Sequence, residues 1–191
     1  MAANDYHFIT TWRIAATPDE ITEILGAAEA LARWWPSVYH DVRVLEPGDA
    51  TGLGKAVELW TKGFLPYTLR WRFTVSQSEP PTGFRLDAEG DFVGRGIWTL
   101  KAEVADGQPG GPLTSGVYDW LIVAEKGVLK RLSPIMKPIF AANHRWAMAQ
   151  GERSLRLEVA RRHAGSDPAI RSAIPAPPGP TFPHNLRRRR V

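Results

Sequence analysis

No cysteine occurs in the 191 residues. That absence excludes disulfides, thiolate nucleophiles, cysteine-ligated zinc and iron–sulfur clusters together. Long apolar runs are missing as well. Nothing approaches the roughly 18 consecutive apolar residues of a membrane-spanning helix. Phosphate-binding loop, dinucleotide fingerprint, nucleophile elbow and HExxH are all absent. Gly52-Leu53-Gly54-Lys55 lacks the Walker spacing and its Ser or Thr, so it reads as a loop bend. The histidines, His7, His40, His144, His163 and His184, form no pair at metal-ligand spacing beside a carboxylate. Neither a metal nor a cofactor is expected. The opening Met1-Ala2-Ala3-Asn4-Asp5 has no basic or apolar leader region, from which a soluble cytoplasmic protein is expected.

Surplus charge is scarce outside one end. Residues 163–191 hold Arg171 and Arg187 to Arg190 against Asp167, which accounts for the whole formal charge of +4. The remainder is neutral, which argues against a broad nucleic-acid-binding face. Six of the 16 prolines also lie in this tail, among unpatterned apolar residues. The tail, residues 164–191, is expected to be disordered and solubilising. Residues 1–163 are expected to be the folded domain.

The chain as a whole is 43% hydrophobic, enough for the domain to bury a core. Its eight tryptophans lie between Trp12 and Trp146. Tryptophan joins a large apolar surface to one donor and suits cavity walls as well as cores.

The order of elements follows from periodicity. Tyr6 to Ile14 alternates, with Phe8, Thr10, Trp12 and Ile14 on the inward face. Thr17-Pro18-Asp19-Glu20 reads as a capping box with proline at the first helical position. Glu29 to Trp35 is a second short helix stopped by Pro36. Strand patterns then follow at Val42–Leu45, Lys55–Thr61, Tyr67–Ser78, Phe84–Ala88, Phe92–Glu103 and Thr114–Glu125. No helix separates them, so the sheet is expected to be an antiparallel meander of seven strands. A long helix spans roughly Leu132 to Arg162, capped at Ser133-Pro134 and kinked or broken near Lys137 by Pro138. Glu152–Arg156 and Glu158–Arg162 are i,i+4 pairs suited to an exposed face. The class is α+β, and space between a curved sheet and one helix holds a small apolar ligand.

Phe8, Trp12 and Ile14-Ala15-Ala16-Thr17-Pro18-Asp19-Glu20-Ile21 resemble the entry of the START/birch-pollen-allergen superfamily (SRPBCC). Strand, two short helices, six strands and a long helix is its helix-grip order. The segments from Thr61 to Trp71, from Gly90 to Gly96 and from Asn143 to Met148 resemble a bacterial polyketide cyclase/dehydrase-like branch of it. The resemblance covers about residues 6–162. It implies a hydrophobic cavity between sheet and helix that takes lipids, sterols, polyketides or plant hormones. A minority of members catalyse cyclisation or aromatisation. The superfamily has no universal catalytic residue to carry over.

The expected cavity wall comprises Trp12, Trp71, Phe73, Phe92, Trp98 and Trp120, with core packing as the alternative for each. Asn143, His144 and Ala147 are the expected helix contribution. Trp34-Trp35-Pro36 and Phe64-Leu65-Pro66 are expected at the mouth. His144 is a polar anchor or a general acid/base, or a satisfied half-buried side chain. Arg95, between Gly94 and Gly96, pairs a ligand anion if inward and is a surface arginine if outward. Asp87, Glu89 and Asp91 read as a solvated face. The leading expectation is binding or transport of a hydrophobic small molecule. The alternatives are a cofactor-free cyclase or dehydratase using His144, with Arg95 stabilising an enolate, and a protein-interaction module docking through the tail.

Overall fold

The structure, a computed structural model, describes residues 4–103, 111–125 and 127–182. Strand β1 (Asp5–Ile14) follows the expected alternation: Tyr6, Trp12 and Ile14 are buried, and His7, Ile9, Thr11 and Arg13 are exposed. Helix α1 (Pro18–Gly26) opens on the capping box. The Glu20 N–H donates to Thr17 Oγ1 at 3.3 Å, and the Thr17 N–H donates to Glu20 Oε2 at 2.8 Å. Each bond satisfies a backbone donor that a helix start would otherwise leave open. A 3-10 turn (Ala28–Ala30) leads into α2 (Leu31–Trp34).

Six strands follow: β2 (Tyr39–Glu46), β3 (Ala56–Thr61), β4 (Leu69–Glu79), β5 (Gly83–Gly90), β6 (Phe92–Glu103) and β7 (Leu113–Ala124). All neighbours are antiparallel, in the order β1-β7-β6-β5-β4-β3-β2. The first two strands therefore occupy opposite edges, and α1 and α2 carry the chain from one edge to the other. Leu69, Trp71, Phe73 and Val75 of β4 alternate with exposed neighbours and point inward. Tyr118, Trp120 and Ile122 of β7 do the same. This is the helix-grip architecture.

Helix α3 (Gly127–His163) starts earlier than the sequence pattern suggests and is unbroken. Ser133 and Pro134, expected as its cap, lie inside it. Pro138 does not end the helix. It is exposed, so the hydrogen bond it removes falls on the solvent side, where water can take the orphaned carbonyl.

Burial along α3 changes at Met148. Beyond it, Met148, Gly151, Leu155 and Val159 are buried at helical spacing against the sheet and α2. Before it, Phe140, Asn143, His144 and Ala147 keep the same spacing but are only half-buried. The helix rests on solid core beyond Met148 and spans open space over residues 140–147. Trp12, Trp34, Trp35 and Trp98 fill the solid end. The Trp12 ring centroid lies 5.6 Å from that of Trp35 and 4.9 Å from that of Trp98.

Gly151 makes the close approach possible. A β-carbon there would lie 2.3 Å from Trp35 Cζ2 and 2.5 Å from Cη2. Nearby, the Arg33 guanidinium donates to both Glu158 oxygens at 2.9 and 2.7 Å. Glu158, expected on an exposed face, is 3% exposed. The reason is this bidentate pair, which ties α2 to α3 and satisfies a buried carboxylate. Glu152–Arg156 does lie at the surface, at 2.7 Å.

The tail is not featureless as far as it is described. A short helix, α4 (Pro168–Ala173), is capped by Asp167, and the chain then returns to the domain at Thr181 and Phe182. The four-arginine end lies outside the described residues.

Gly151→Ala should be destabilising. Alanine gains about 1 kcal/mol of helix propensity over glycine, but overpacking against Trp35 costs about 1–3 kcal/mol. Urea unfolding of the variant should show a lower midpoint, and a raised midpoint would refute the contact.

Candidate functional site

Under the first half of α3 lies a cavity of about 130 Å³. Helix α3 roofs it with Phe140, Asn143, His144, Ala147 and Met148. The sheet contributes Trp71, Phe92, Trp120 and Ile122. Trp35 closes it towards the solid core. All four tyrosines of the chain, Tyr6, Tyr39, Tyr67 and Tyr118, also line it. In size it matches a roughly 150 Å³ apolar cavity that takes benzene. It is smaller than the roughly 300–1,000 Å³ of drug-sized pockets, so a larger occupant needs one wall to yield.

Glycines shape the walls. A β-carbon on Gly96 would lie 2.4 Å from the Tyr118 hydroxyl, so the space left by Gly96 is taken by that phenol. A β-carbon on Gly63 would lie 2.1 Å from Asn143 Oδ1. Gly63 thus admits the Asn143 amide, whose oxygen accepts from the Leu65 N–H at 3.2 Å and fixes the β3–β4 turn under the helix. Trp71 Nε1 donates to Thr61 Oγ1 at 3.0 Å, which satisfies two polar groups of the wall.

His144 stacks on Phe8, with ring centroids 4.2 Å apart and planes 12° apart. Its Nε2 lies 3.5 Å from the Thr10 hydroxyl. Burial, and then Arg145, push its pKa down to about 4. Burial, and then Lys62, do the same to His40, also to about 4. Burial raises Tyr39 and Tyr118 and takes Tyr67 up to about 12. At neutral pH the imidazole is therefore uncharged, and those three phenols remain protonated donors.

One polar wall residue stands apart. Lys62, just past the end of β3, is 1% exposed and lines the cavity. Among the described residues, no Asp or Glu lines it with Lys62. Its Nζ donates to the carbonyl of Thr181 and, at 3.1 Å, to that of Phe182. Burial lowers its pKa.

Six of the expected side chains meet at this cavity: Trp71, Phe92, Trp120, Asn143, His144 and Ala147, with Trp35 from the expected mouth. The others do not line it. Trp12, Trp98 and Trp34 belong to the solid end. Phe73 faces a second cavity, of about 340 Å³, between α1 and the β2–β3 loop. Phe64 packs edge-on to Trp146, centroids 6.1 Å apart, outside the lining, and Leu65 offers only its backbone to Asn143. Arg95 is exposed on the outer face, because Gly94 and Gly96 take the inward register of β6. Asp87 and Glu89 pair with Arg85 and Arg72 on that same outer face. Lys62 and the tyrosines went unmarked in the sequence: a lysine before glycine at a turn reads as solvent-facing, and tyrosine suits either face of a strand.

The second cavity is larger, but its polar groups serve its own loop. Lys55 Nζ donates to the Gly26 carbonyl at 2.8 Å, and Asp49 accepts from the Thr51 and Leu53 N–H groups. Nothing charged there is buried and left for a ligand.

No protein-family model matches the chain, and no curated protein matches it. Solved structures do match. The Zhui aromatase/cyclase from Streptomyces sp. R1128 aligns over 85% of this chain and 98% of its own, at 17% identity and a TM-score of 0.59. TTHA0849 from Thermus thermophilus aligns over 78% and 96%, at 14% identity and a TM-score of 0.56. The di-domain ARO/CYC BexL from the BE-7585A biosynthetic pathway aligns over 87% of this chain at 16% identity and a TM-score of 0.51. The present chain spans about half of it, 52%. The fold is thus the helix-grip fold that these solved structures share.

Both buried imidazoles titrate below the ordinary 6.5 in the folded state. Between about pH 6.5 and 4 the unfolded chain therefore binds more protons than the folded one. Stability is complete above that window and is lost as pH falls through it. Carboxylates held below their ordinary values, such as Glu20 and Asp87, add losses of the same sign at lower pH. The urea midpoint should fall between pH 7 and 5, and His144→Gln should flatten the slope. A midpoint constant over that range would contradict the burial of these rings.

Proposed function

We propose that the domain, residues 1–163, binds a hydrophobic small molecule, lipid- or polyketide-like, between its sheet and α3. The observation that carries this is the change of burial along α3. The half-buried face over residues 140–147 has an aromatic floor beneath it instead of interdigitating side chains. Protein interiors pack at close to crystal density, so space left open beneath a half-buried helix face favours an occupant. Four tyrosines, Asn143 and His144 add a few polar groups to an apolar wall, the composition of small-molecule sites. The charge balance of the domain favours a small molecule over nucleic acid as partner. The lack of a spanning helix among the described residues is compatible with the cytoplasm as its place.

A cyclase is the second reading, favoured by two structural neighbours, an aromatase/cyclase and a di-domain ARO/CYC. The chemistry of this site supports it less. A general acid or base works best with a pKa near the operating pH, and His144 lies near 4. Arg95, the expected enolate partner, is on the opposite side of the sheet. Phenols held as neutral donors support orientation of a carbonyl more than proton shuttling.

Native mass spectrometry of freshly purified protein, repeated after denaturation, tests the binding reading. An added mass that denaturation releases is expected. A single unliganded species, unchanged by incubation with a panel of fatty acids and aromatic polyketides, would count against it.

A further inference from the structure

The cavity wall includes one lysine with no carboxylate beside it among the described residues that line the space. Lys62 is 1% exposed. A buried ammonium is costly unless paired or hydrogen-bonded. Here its partners are two backbone carbonyls, of Thr181 and Phe182, which come from the far end of the chain. The Phe182 ring adds a cation–π contact at 5.3 Å. The Thr181 hydroxyl clamps the same segment to the β3–β4 turn, donating to the Gly63 carbonyl at 3.3 Å or the Phe64 carbonyl at 3.2 Å.

This arrangement is particular to the tail. The aromatase/cyclase neighbour matches 98% of its own length while covering 85% of this chain, so a fold of this kind is complete without about a seventh of these residues. The contact is also peculiar in chemistry. Carbonyl oxygens carry only partial charge, and an ammonium has three donors to satisfy. An anionic oxygen would satisfy Lys62 better than either carbonyl, since charge-assisted bonds are roughly twice as strong. The cavity is also too small for a drug-sized ligand, so admitting one needs a neighbouring segment to move.

We propose that residues 175–182 are a strap whose Thr181 and Phe182 carbonyls hold the place of a ligand's anionic head. On this view, which rests on the binding reading above, the ligand is an amphiphile with one acidic group. Its oxygen replaces the two carbonyls on Lys62 as the strap lifts, and its apolar body enters among the tyrosines and tryptophans.

Two dyes of one skeleton test this in the full chain: 8-anilinonaphthalene-1-sulfonate, which carries an anion, and N-phenyl-1-naphthylamine, which does not. Fluorescence titration should show both binding to the unaltered protein. Lys62→Met should weaken the sulfonate at least tenfold relative to the neutral dye, whereas Lys62→Arg should keep most sulfonate affinity. Thr181→Ala, half-buried and outside the hydrophobic core, should tighten the sulfonate at least threefold relative to the neutral dye. If both dyes bind but the Lys62→Met and Thr181→Ala ratios equal that of the unaltered protein, the anchor and strap are overturned and the cavity reading survives. If neither dye binds the unaltered protein, the cavity reading falls and the strap with it. Should Lys62→Met fail to fold, the Thr181→Ala ratio decides alone.

Discussion

The Trp35 ring occupies the place where a β-carbon on residue 151 would stand, and the rest of the molecule is arranged around that contact. It lets α3 sink onto α2 and the sheet at one end only. From there outward the interior is solid, with Trp12, Trp34 and Trp98 packed ring against ring. Arg33 and the buried Glu158 lock the same junction electrostatically. The first half of the helix is then carried away from a curved sheet, and the cavity is the space left between them. Trp35 is both the last residue of the core and the first of the cavity wall.

Much of this architecture is legible in sequence because it is written in local periods. Alternation along Tyr6–Ile14 and Leu69–Val75 assigns the inward faces, and Thr17-Pro18-Asp19-Glu20 marks the helix entry. Inward, however, is a statement about the face of a strand and not about position along it. Trp98 and Trp120 both point inward from neighbouring strands, yet one packs in the solid core and the other lines the cavity. What separates them is how far α3 stands off the sheet, which no local pattern records. The start of α3 and its passage through Pro138 escaped for a related reason: proline on a solvent-facing side loses its hydrogen bond to water at little cost.

Lys62 was illegible because its burial is not local. Its sequence neighbours, Thr61 and Gly63, describe the end of a strand and a turn, where lysine is ordinarily exposed. The groups that cover it come from residues 181 and 182, in a segment whose composition suggests disorder. Of the two readings open for Arg95, the surface one matches its exposed position. Arg95 points away, while a lysine, four tyrosines and a neutral imidazole face the cavity.

The distribution of tyrosine offers the most direct measurement. All four line this cavity and none lines the larger one between α1 and the β2–β3 loop. Protein labelled with 3-fluorotyrosine should give four fluorine resonances, and titration with N-phenyl-1-naphthylamine should move all four. Saturable dye fluorescence with the four resonances unmoved would place the ligand elsewhere and contradict the account.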